Sequence, residues 1–356
     1  MLLKKVYLLA YLATVVFFSC THESEDTYAP TPSDLQIPQV FSNTILDPVI
    51  PNNNPQTVEG IALGKKLFFD PILSANNTQS CANCHAPQNA FTDSKRFSTG
   101  VLGAKGTRNA MPLFNLAWNY DETFFWDGAA FSLEHQAFSP VRDPNEMNST
   151  WHTVTQKLNT HPEYPNLFYK AFKTKEIDST LVTKAIAQFE RTLISANSKF
   201  DSYLLGEAQL TPSERNGFNV FMDETKGDCF HCHGSDKNPL WTDNDFHNNG
   251  LDEIFTDLGR GKITGDPADN GKFKTPSLRN LSYTAPYMHD GRFNTLDDVI
   301  NHYSEGLKNS PTIDPLMKKV AQGGVRLNEQ DKEDLKAFLV TLNDHTITDY
   351  RIFVEN

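Results

Sequence analysis

Two copies of one short motif constrain this chain more than any other feature. Cys81-Ala82-Asn83-Cys84-His85 and Cys229-Phe230-His231-Cys232-His233 share the spacing Cys-x-x-Cys-His and use four of the five cysteines. With this spacing, two thiols can add to the two vinyl groups of one haem while the adjacent histidine reaches the iron. Disulfides, a four-thiolate zinc site and redox dithiols are the competing interpretations, but none requires a histidine directly after each pair. The sequence therefore predicts two covalently bound haem c groups, with His85 and His233 as proximal iron ligands.

The fifth cysteine, Cys20, lies at the end of an N-terminal export signal. Lys4 and Lys5 precede an apolar run over residues 6–18, which is too short to span a membrane as a helix. The sequence Phe17-Phe18-Ser19-Cys20 resembles the lipobox of bacterial lipoproteins, in which the cysteine thiol is lipidated. The alternative is that Cys20 is an ordinary residue of the signal region. We expect residues 1–19 to be removed and the exported protein to be lipid-anchored to a membrane, in the periplasm or at the cell surface.

The segment that follows the signal is predicted to be a tether. Residues 20–56 are polar and rich in proline and asparagine, as in Pro51-Asn52-Asn53-Asn54-Pro55. The whole chain carries 32 lysines and arginines against 44 aspartates and glutamates, a formal net charge of -12. This charge argues against a nucleic-acid binder and favours a basic or polar partner.

Local patterns predict helices around both motifs. Residues 59–69 place apolar side chains on one side of a helix, and residues 181–203 repeat them at helical spacing. Thr211 and Glu214 form a capping box, and Asn328 begins a further helix. Long strand patterns are absent. Because the two motifs lie 148 residues apart, each haem is predicted to have its own small domain. The expected fold is mainly α, with two cytochrome c-like haem domains.

Seven further motifs occur in a defined order along the chain. They are Leu63-Gly64-Lys65-Lys66-Leu67-Phe68-Phe69-Asp70, Gly106-Thr107-Arg108-Asn109, Phe125-Trp126-Asp127-Gly128, Gln136-Ala137-Phe138-Ser139-Pro140, Glu146-Met147, Lys274-Thr275-Pro276-Ser277-Leu278-Arg279-Asn280 and Ala285-Pro286-Tyr287-Met288-His289-Asp290-Gly291. Together with the haem motifs they resemble the bacterial di-haem cytochrome c peroxidase and MauG family, from about Gly60 to Leu342. The resemblance implies a first, peroxidatic haem domain over residues 57–205 and a second, electron-transfer domain over residues 206–345. It also implies that the tail, 346–356, packs back on the first domain.

The resemblance also implies the residues of an active site at the first haem. Glu146 matches the distal acid-base residue and Gln136 its neighbour. A carboxylate suits this role because it can take a proton from peroxide and return it to the departing oxygen. Trp126 matches the family tryptophan that lies between the haems and carries electrons across the gap. Without the motif, Trp126 would be interpreted as an ordinary buried aromatic residue.

A calcium site between the domains is implied in the same way. Asn109, Thr284 and Pro286 match the family residues that bind calcium through one side-chain amide and backbone carbonyls. Oxygen ligands of this kind suit calcium. The alternative is a turn whose carbonyls are satisfied within the protein.

The sequence departs from the peroxidase pattern at the first haem. In the better-known peroxidases, a histidine in the loop before the Gly-x-Arg-Asn segment ligates the first haem until the second is reduced. The matching position here is Val101, and residues 87–108 contain no histidine. Valine cannot ligate iron. We therefore expect the first haem to remain five-coordinate and to need no reductive activation.

A second departure concerns the distal ligand of the second haem, which is methionine in the peroxidases and tyrosine in MauG. Counting 14 residues on from His289 reaches Tyr303, which we expect on a helix capped by Thr295, sharing a face with Leu296 and Val299. The alternative is a core tyrosine whose hydroxyl finds a partner. In that case Met288 and Met317 are the remaining candidate ligands.

Three functions agree with this pattern. The first is reduction of hydrogen peroxide to water with electrons from a small cytochrome or cupredoxin, passed from the second haem to the first. The second is a MauG-like, peroxide-dependent oxidation of a protein or an organic substrate. MauG has a surface tryptophan two residues before its second haem motif, but Gly227 occupies that position here. The third is a non-catalytic electron carrier, which Glu146 and the absent sixth ligand disfavour. The sequence leaves a homodimer open.

Overall fold

The computed structural model describes residues 28–354, apart from the side chains of residues 352 and 354. The export signal and Cys20 lie outside this range. Within it the chain is mainly helical, which confirms the predicted fold class. None of the helices in this range is both long and apolar enough to cross a membrane.

Short helices joined by long loops build the molecule. The helices and strands of the described range are α1 Gln39–Ser42, α2 Val58–Phe69, α3 Leu133–Gln136, α4 Phe138–Arg142, α5 Trp151–Thr160, α6 Tyr164–Phe172, α7 Ser179–Glu190, α8 Lys199–Leu204, α9 Pro212–Met222, α10 Phe230–His233, β1 Phe246–His247, α11 Arg260–Thr264, β2 Phe273–Lys274, α12 Leu296–Asn301, α13 Glu329–Val340 and α14 Tyr350–Val354. The two strands pair antiparallel, with Phe246 opposite Lys274. They join two loops that follow the second haem motif.

The helix starts follow the sequence closely. The Thr211 hydroxyl accepts a hydrogen bond from the Glu214 N–H, and the Thr211 N–H donates to the Glu214 carboxylate, which confirms the capping box of α9. Asn328 caps α13. Thr295 caps α12, but this helix ends at Asn301 and continues as one π-helical turn, His302–Gly306. Tyr303 lies in that turn, so the expectation that it shares an α-helical face with Leu296 and Val299 was wrong.

The predicted helix over residues 181–203 is two helices. α7 ends at Glu190, and α8 begins after Ser198, whose side chain forms a capping box with Asp201. The backbone between them bonds outside the helix, because the Ser195 N–H donates to the Asn115 side chain at 2.8 Å. Polar groups that compete for backbone hydrogen bonds interrupt a helix in this way.

Two apolar cores correspond to the two motifs. Side chains of α2, α5, α6 and α7 form the first core, and those of α8, α9, α12 and α13 form the second. Gly64 lets α2 approach the backbone of α7, and Gly217 lets α9 approach that of α13. Phe200 of α8 packs in the second core.

Part of the segment predicted to be a tether, residues 20–56, packs against the rest of the molecule. Val40 and Phe41 are buried, and the Phe41 ring meets the Trp118 ring edge-on at 5.0 Å. Gln56 donates from its side-chain amide to the carbonyl of Gln188 at 2.9 Å, which fixes the chain on α7. The described part of this segment therefore packs on the folded core. Two apolar side chains, Val40 and Phe41, are buried there, and the Gln56 side-chain amide forms a hydrogen bond with α7.

The C-terminal residues contact the first half of the molecule. Ile347 is buried with Phe68 and Phe189, and the Phe353 ring meets the Phe91 ring edge-on at 4.9 Å. Phe91 follows the first haem motif. These contacts connect the end of the chain to the first motif.

Polar contacts join the two halves where the candidate site lies. Arg108 donates to Asp127 at 2.5 Å and to both carboxylate oxygens of Asp257 at 2.7 and 2.9 Å. The N–H of Asn109 donates to the carbonyl of His289 at 2.7 Å. Segments that are far apart in sequence are therefore held in register across the junction.

The packing of residues 38–45 predicts a strong effect of one substitution. Phe41→Ala should lower the free energy of unfolding by about 3–5 kcal/mol, because it removes a fully buried ring. Leu46→Ala is the control, since the Leu46 side chain is 76% exposed and should matter little. Denaturant titration of the holoprotein measures both. Equal stabilities of the two variants would mean that this segment does not belong to the core.

Candidate active site

His85 of the first motif is oriented so that one ring nitrogen is free to bind haem iron. The His85 N–H donates to the carbonyl of Cys81 at 2.9 Å, which closes one turn over the motif. Its ring Nδ1 lies 3.0 Å from the carbonyl of Phe91, so Nε2 is left for a metal. Burial lowers the pKa of His85 and favours the neutral ring that ligates iron.

The second motif has the same organisation with one difference. It forms the short helix α10, and burial lowers the pKa of His233 to about 4. The carbonyls of Trp241 and Pro276 face the His233 ring, but neither completes a hydrogen bond to Nδ1. Cys81, Cys84, Cys229 and Cys232 form no disulfide with one another. Both sites, with two thiols and a neutral histidine, therefore fit a covalently attached haem.

Two cavities with lining residues in common adjoin the first motif. A cavity of about 930 Å³ extends from His85 to the junction of the two halves, and a smaller one of about 50 Å³ lies beside Cys81. Cys84, His85, Gln136 and Glu146 line both. The structure thus brings the predicted distal pair together with the first motif.

Glu146 lies in a loop whose backbone is fixed on both sides. The side chain of the next residue, Met147, is buried in the first core, and its carbonyl accepts from the Ala75 N–H at 2.9 Å. Burial, and secondarily the charge of Asp143, raises the pKa of Glu146 to about 7. A carboxyl group with this pKa can both accept and donate a proton near neutral pH.

Gln136 is positioned by α3. Ser132 caps this helix, and Leu133 anchors it in an apolar cluster with Ala187 of α7. Both carboxylate oxygens of Glu134 accept from Arg191, at 2.8 and 3.1 Å. A bidentate pair of this kind fixes orientation as well as distance.

Trp126 lies between segments of the two halves. It is buried, and its indole Nε1 donates to the carbonyl of Asn109 at 2.8 Å. Its own carbonyl accepts from the N–H of Lys274 in β2 at 2.8 Å. The indole also lines the large cavity. Trp126 is therefore held from both sides of the junction.

The three predicted calcium ligands lie near this junction. Asn109 is buried and donates from Nδ2 to the carbonyl of Lys95 at 3.0 Å. Thr284 is also buried, and a cis peptide bond joins Ala285 to Pro286. Asn109 is linked to the following segment by its hydrogen bond to His289.

Val101 belongs to a loop that rests on the Glu146 segment. Its N–H donates to the carbonyl of Glu146 at 2.8 Å. Thr99 and Lys105 pair across the loop as an isolated β-bridge. The position at which the peroxidases carry a histidine is thus tied directly to the candidate catalytic residue.

Tyr303 and Met288 lie together opposite the second motif. The side-chain amide of Asn249 donates to the Tyr303 hydroxyl at 3.1 Å and to the Met288 sulfur at 3.6 Å. Burial raises the pKa of Tyr303 to about 12, and the nearby thiols of Cys232 and Cys229 act in the same direction. The side-chain amide of Asn249 therefore contacts both candidate ligands.

Gly227 has no room for a side chain. A Cβ atom there would lie 2.5 Å from the carbonyl oxygen of Val220, which accepts a hydrogen bond from the Gly227 N–H. A tryptophan would require the backbone to move. The position that carries the relay tryptophan in MauG is closed in this chain.

Sequence reasoning missed two buried ionisable groups near the cavities. Glu190 lines the smaller cavity, its Oε2 has no hydrogen-bond partner among the described residues, and burial raises its pKa to about 8. Lys274 lines the larger cavity beside Trp126 and donates to Thr123 at 3.0 Å, while burial lowers its pKa to about 8. In the sequence, the one indication that Glu190 is buried was the position of an acidic residue on the apolar side of α7, next to Phe189.

His247 was missed as well. Its ring nitrogens lie 2.6 Å from Asp314 and 2.9 Å from Asp243. Burial opposes a charge on His247, but the two carboxylates outweigh it and raise its pKa to about 10. Because both nitrogens are engaged, His247 serves to tie the loops around the second motif rather than to ligate iron.

Comparison with known proteins agrees with this geometry. Residues 58–209 match the family model described as di-haem cytochrome c peroxidase. The chain is 40% identical to the methylamine utilization protein MauG of Methylorubrum extorquens, over 82% of this chain and 80% of that protein. It is 36% identical to the cytochrome c551 peroxidase of Nitrosomonas europaea, over 69% of this chain and 73% of that protein.

A solved structure shows the same fold. The crystal structure of a MauG-like protein associated with microbial copper homeostasis superposes with a TM-score of 0.81 and 35% identity, and covers 91% of this chain and 99% of that one. Together with the two haem motifs, these likenesses establish the family and its cofactors. The chain belongs to the di-haem cytochrome c peroxidase and MauG family and is a peroxidase-type oxidoreductase with two c-type haems.

Proposed function

We propose that this protein reduces hydrogen peroxide to water at its first haem, with electrons that a small redox protein delivers through the second. The observation that carries the proposal is the position of Glu146 and Gln136 in the cavities that His85 also lines. The haem held by Cys81, Cys84 and His85 supplies the iron and the redox chemistry. The remaining steps are performed by the chain's own side chains.

Glu146 acts as the acid-base group. In its ionised form it takes the proton from the peroxide oxygen nearer the iron, and it then gives this proton to the distal oxygen, which leaves as water. Gln136 orients the peroxide by hydrogen bonding. Val101 leaves the distal side open to peroxide, and its hydrogen bond to the Glu146 carbonyl keeps the loop in place. No ligand exchange is then needed before reaction.

Electrons reach this site through Trp126. Its indole lies between the two halves and is fixed by Asn109 and by the backbone of Lys274. Tyr303 would ligate the second haem, where a phenolate would lower the reduction potential and stabilise oxidised states. Asn249 holds the phenolic oxygen by donating to it.

Calcium, export and a lipid anchor complete the proposal. Asn109, Thr284 and Pro286 supply oxygen ligands for one calcium ion, which would hold the two halves together near Trp126. Export follows from the apolar run at residues 6–18, and lipidation follows from Cys20 in its lipobox-like sequence.

A MauG-like oxidation of a protein or an organic substrate is the second candidate. The observation in its favour is Tyr303 at the position of the MauG ligand, opposite the second motif. The closed position at Gly227 counts against a close copy of the MauG relay. A non-catalytic electron carrier is the third candidate, and it requires that peroxide not react at all.

The role of Glu146 predicts a specific pH dependence. Because the ionised carboxylate is the base, the rate constant for reaction with peroxide should rise with pH through about 7. Glu146→Gln should lower this rate constant by about 10²–10⁴-fold and remove the pH dependence. Stopped-flow absorbance with the oxidised holoprotein gives both quantities.

Asp143→Asn is the matched variant. It removes the like charge that helps to raise the Glu146 pKa, so the midpoint should move to lower pH while the plateau rate is kept. If Glu146→Gln reacted as fast as the wild type, the proposed acid-base role would be refuted.

The ligand assignment predicts different effects for two neighbouring residues. Tyr303→Phe should change the optical and paramagnetic resonance spectra of the second haem and raise its reduction potential, because a phenolate ligand is lost. Met288→Leu should leave both unchanged, although the Asn249 amide contacts both side chains. The reverse result would assign Met288 as the ligand and Tyr303 as a core residue.

A further inference from the structure

A short segment after each haem motif has a similar backbone conformation but begins with a different aromatic side chain. Phe91-Thr92-Asp93 follows the first motif, and Trp241-Thr242-Asp243 follows the second. Phe91 and Trp241 both have positive φ, 58° and 56°, and the carbonyl of each faces the histidine of its motif. An indole, which one-electron oxidants can oxidise, therefore occupies at the second motif the place that a phenyl ring occupies at the first.

Trp241 belongs to a chain of aromatic rings that leads outward. It is fully buried, and its Nε1 has no hydrogen-bond partner among the described residues. Its ring lies 5.3 Å from that of Phe200, and the Phe200 ring lies 5.4 Å from that of Tyr203. Cys229 of the second motif packs against the same cluster. The rings thus connect the second motif to Tyr203.

Tyr203 lies at the outer end of this chain. It is half-buried, and its hydroxyl accepts a hydrogen bond at 3.2 Å from Arg215, which is exposed. The Arg215 guanidinium also lies over the Tyr203 ring, 5.4 Å from its centroid. An oxidisable phenol is therefore held at the surface, at the end of a path that begins beside the second haem site.

We infer that Trp241 and Tyr203 form an electron-transfer route between the second haem site and the surface around Tyr203 and Arg215, where a one-electron donor protein docks. The inference rests on the proposed function, which supplies peroxide as the oxidant. Electron transfer slows steeply with distance, so two short steps are faster than one long step. Phe200 is too difficult to oxidise to carry the radical itself, so electrons pass directly between Trp241 and Tyr203, and Phe200 fills the space between their rings. This route would take the place of the relay through a surface tryptophan in MauG, whose position is occupied here by Gly227 and has no room for a side chain.

Each passage along the route moves one electron inward. Trp241 gives an electron to the second haem site and keeps its indole proton, since no residue of the described range accepts a hydrogen bond from Nε1. Tyr203 then reduces Trp241 and releases its hydroxyl proton to water, because the Arg215 cation beside it disfavours a positive ring. The donor returns one electron to Tyr203, which takes back a proton. Two such passages, with two protons from water, convert one hydrogen peroxide to two waters.

The route is tested without a donor, by following the decay of the oxidised state that one equivalent of peroxide produces in the oxidised holoprotein. Trp241→Phe restores the side chain found at the first motif, and Tyr203→Phe removes one hydroxyl. Each should lengthen the lifetime of this state about fivefold or more. Freeze-quench paramagnetic resonance should detect a tyrosyl radical in the wild type. Its signal should become narrower when the protein contains ring-deuterated tyrosine, and it should be absent from Tyr203→Phe.

Two variants serve as controls away from the route. Trp118→Phe alters another fully buried indole, which packs against Phe41 and has no hydrogen-bond partner at Nε1 within residues 28–354. Tyr120→Phe alters a tyrosine that is 40% exposed. Both should behave as the wild type. Unchanged decay and an unchanged radical in Tyr203→Phe would overturn the route even if Trp241→Phe did not fold. If the wild type itself failed to react with peroxide, the proposed function would be wrong, which is a separate outcome.

Discussion

The hydrogen bond between the Val101 N–H and the Glu146 carbonyl is the contact on which the proposed chemistry depends. It joins the Val101 loop, which has no histidine to ligate the first haem, to Glu146, whose proposed role requires that peroxide can reach that haem. Glu146 is buried beside this loop, and burial raises its pKa to about 7. A carboxylate more exposed to water would keep its ordinary pKa, so it would be a weaker base and would seldom hold a proton to donate at neutral pH. In the proposed function, the same loop arrangement would govern both the access of peroxide to the first haem and proton transfer there.

The rest of the molecule makes the two haem sites unequal within a repeated plan. Each half crosses helices closely at a glycine, Gly64 in one and Gly217 in the other. Each motif histidine faces the carbonyl of an aromatic residue with positive φ. The differences lie in side chains: Glu146 and Gln136 line the first site, while Tyr303 and Trp241 adjoin the second. A pure electron carrier gains nothing from this inequality, whereas a peroxidase needs one reactive and one electron-transfer site.

The sequence predicted what depends on local pattern. The Cys-x-x-Cys-His motifs fix both haem sites, and the capping residues Thr211 and Asn328 fix the starts of two helices. It failed where distant contacts decide. The break after Glu190 depends on a hydrogen bond between Ser195 and Asn115, which are 80 residues apart. The packing of Phe41 on Trp118 and the burial of the Glu190 carboxyl likewise arise only when separate segments meet.

The most direct test of the account is paramagnetic resonance of the fully oxidised holoprotein, followed by addition of one equivalent of peroxide. A first haem left open by Val101 should give a high-spin signal and should react at once, without prior reduction. Only low-spin signals, together with no reaction until a reductant is added, would contradict the account, because they would mean that another residue occupies the distal position that Val101 cannot fill.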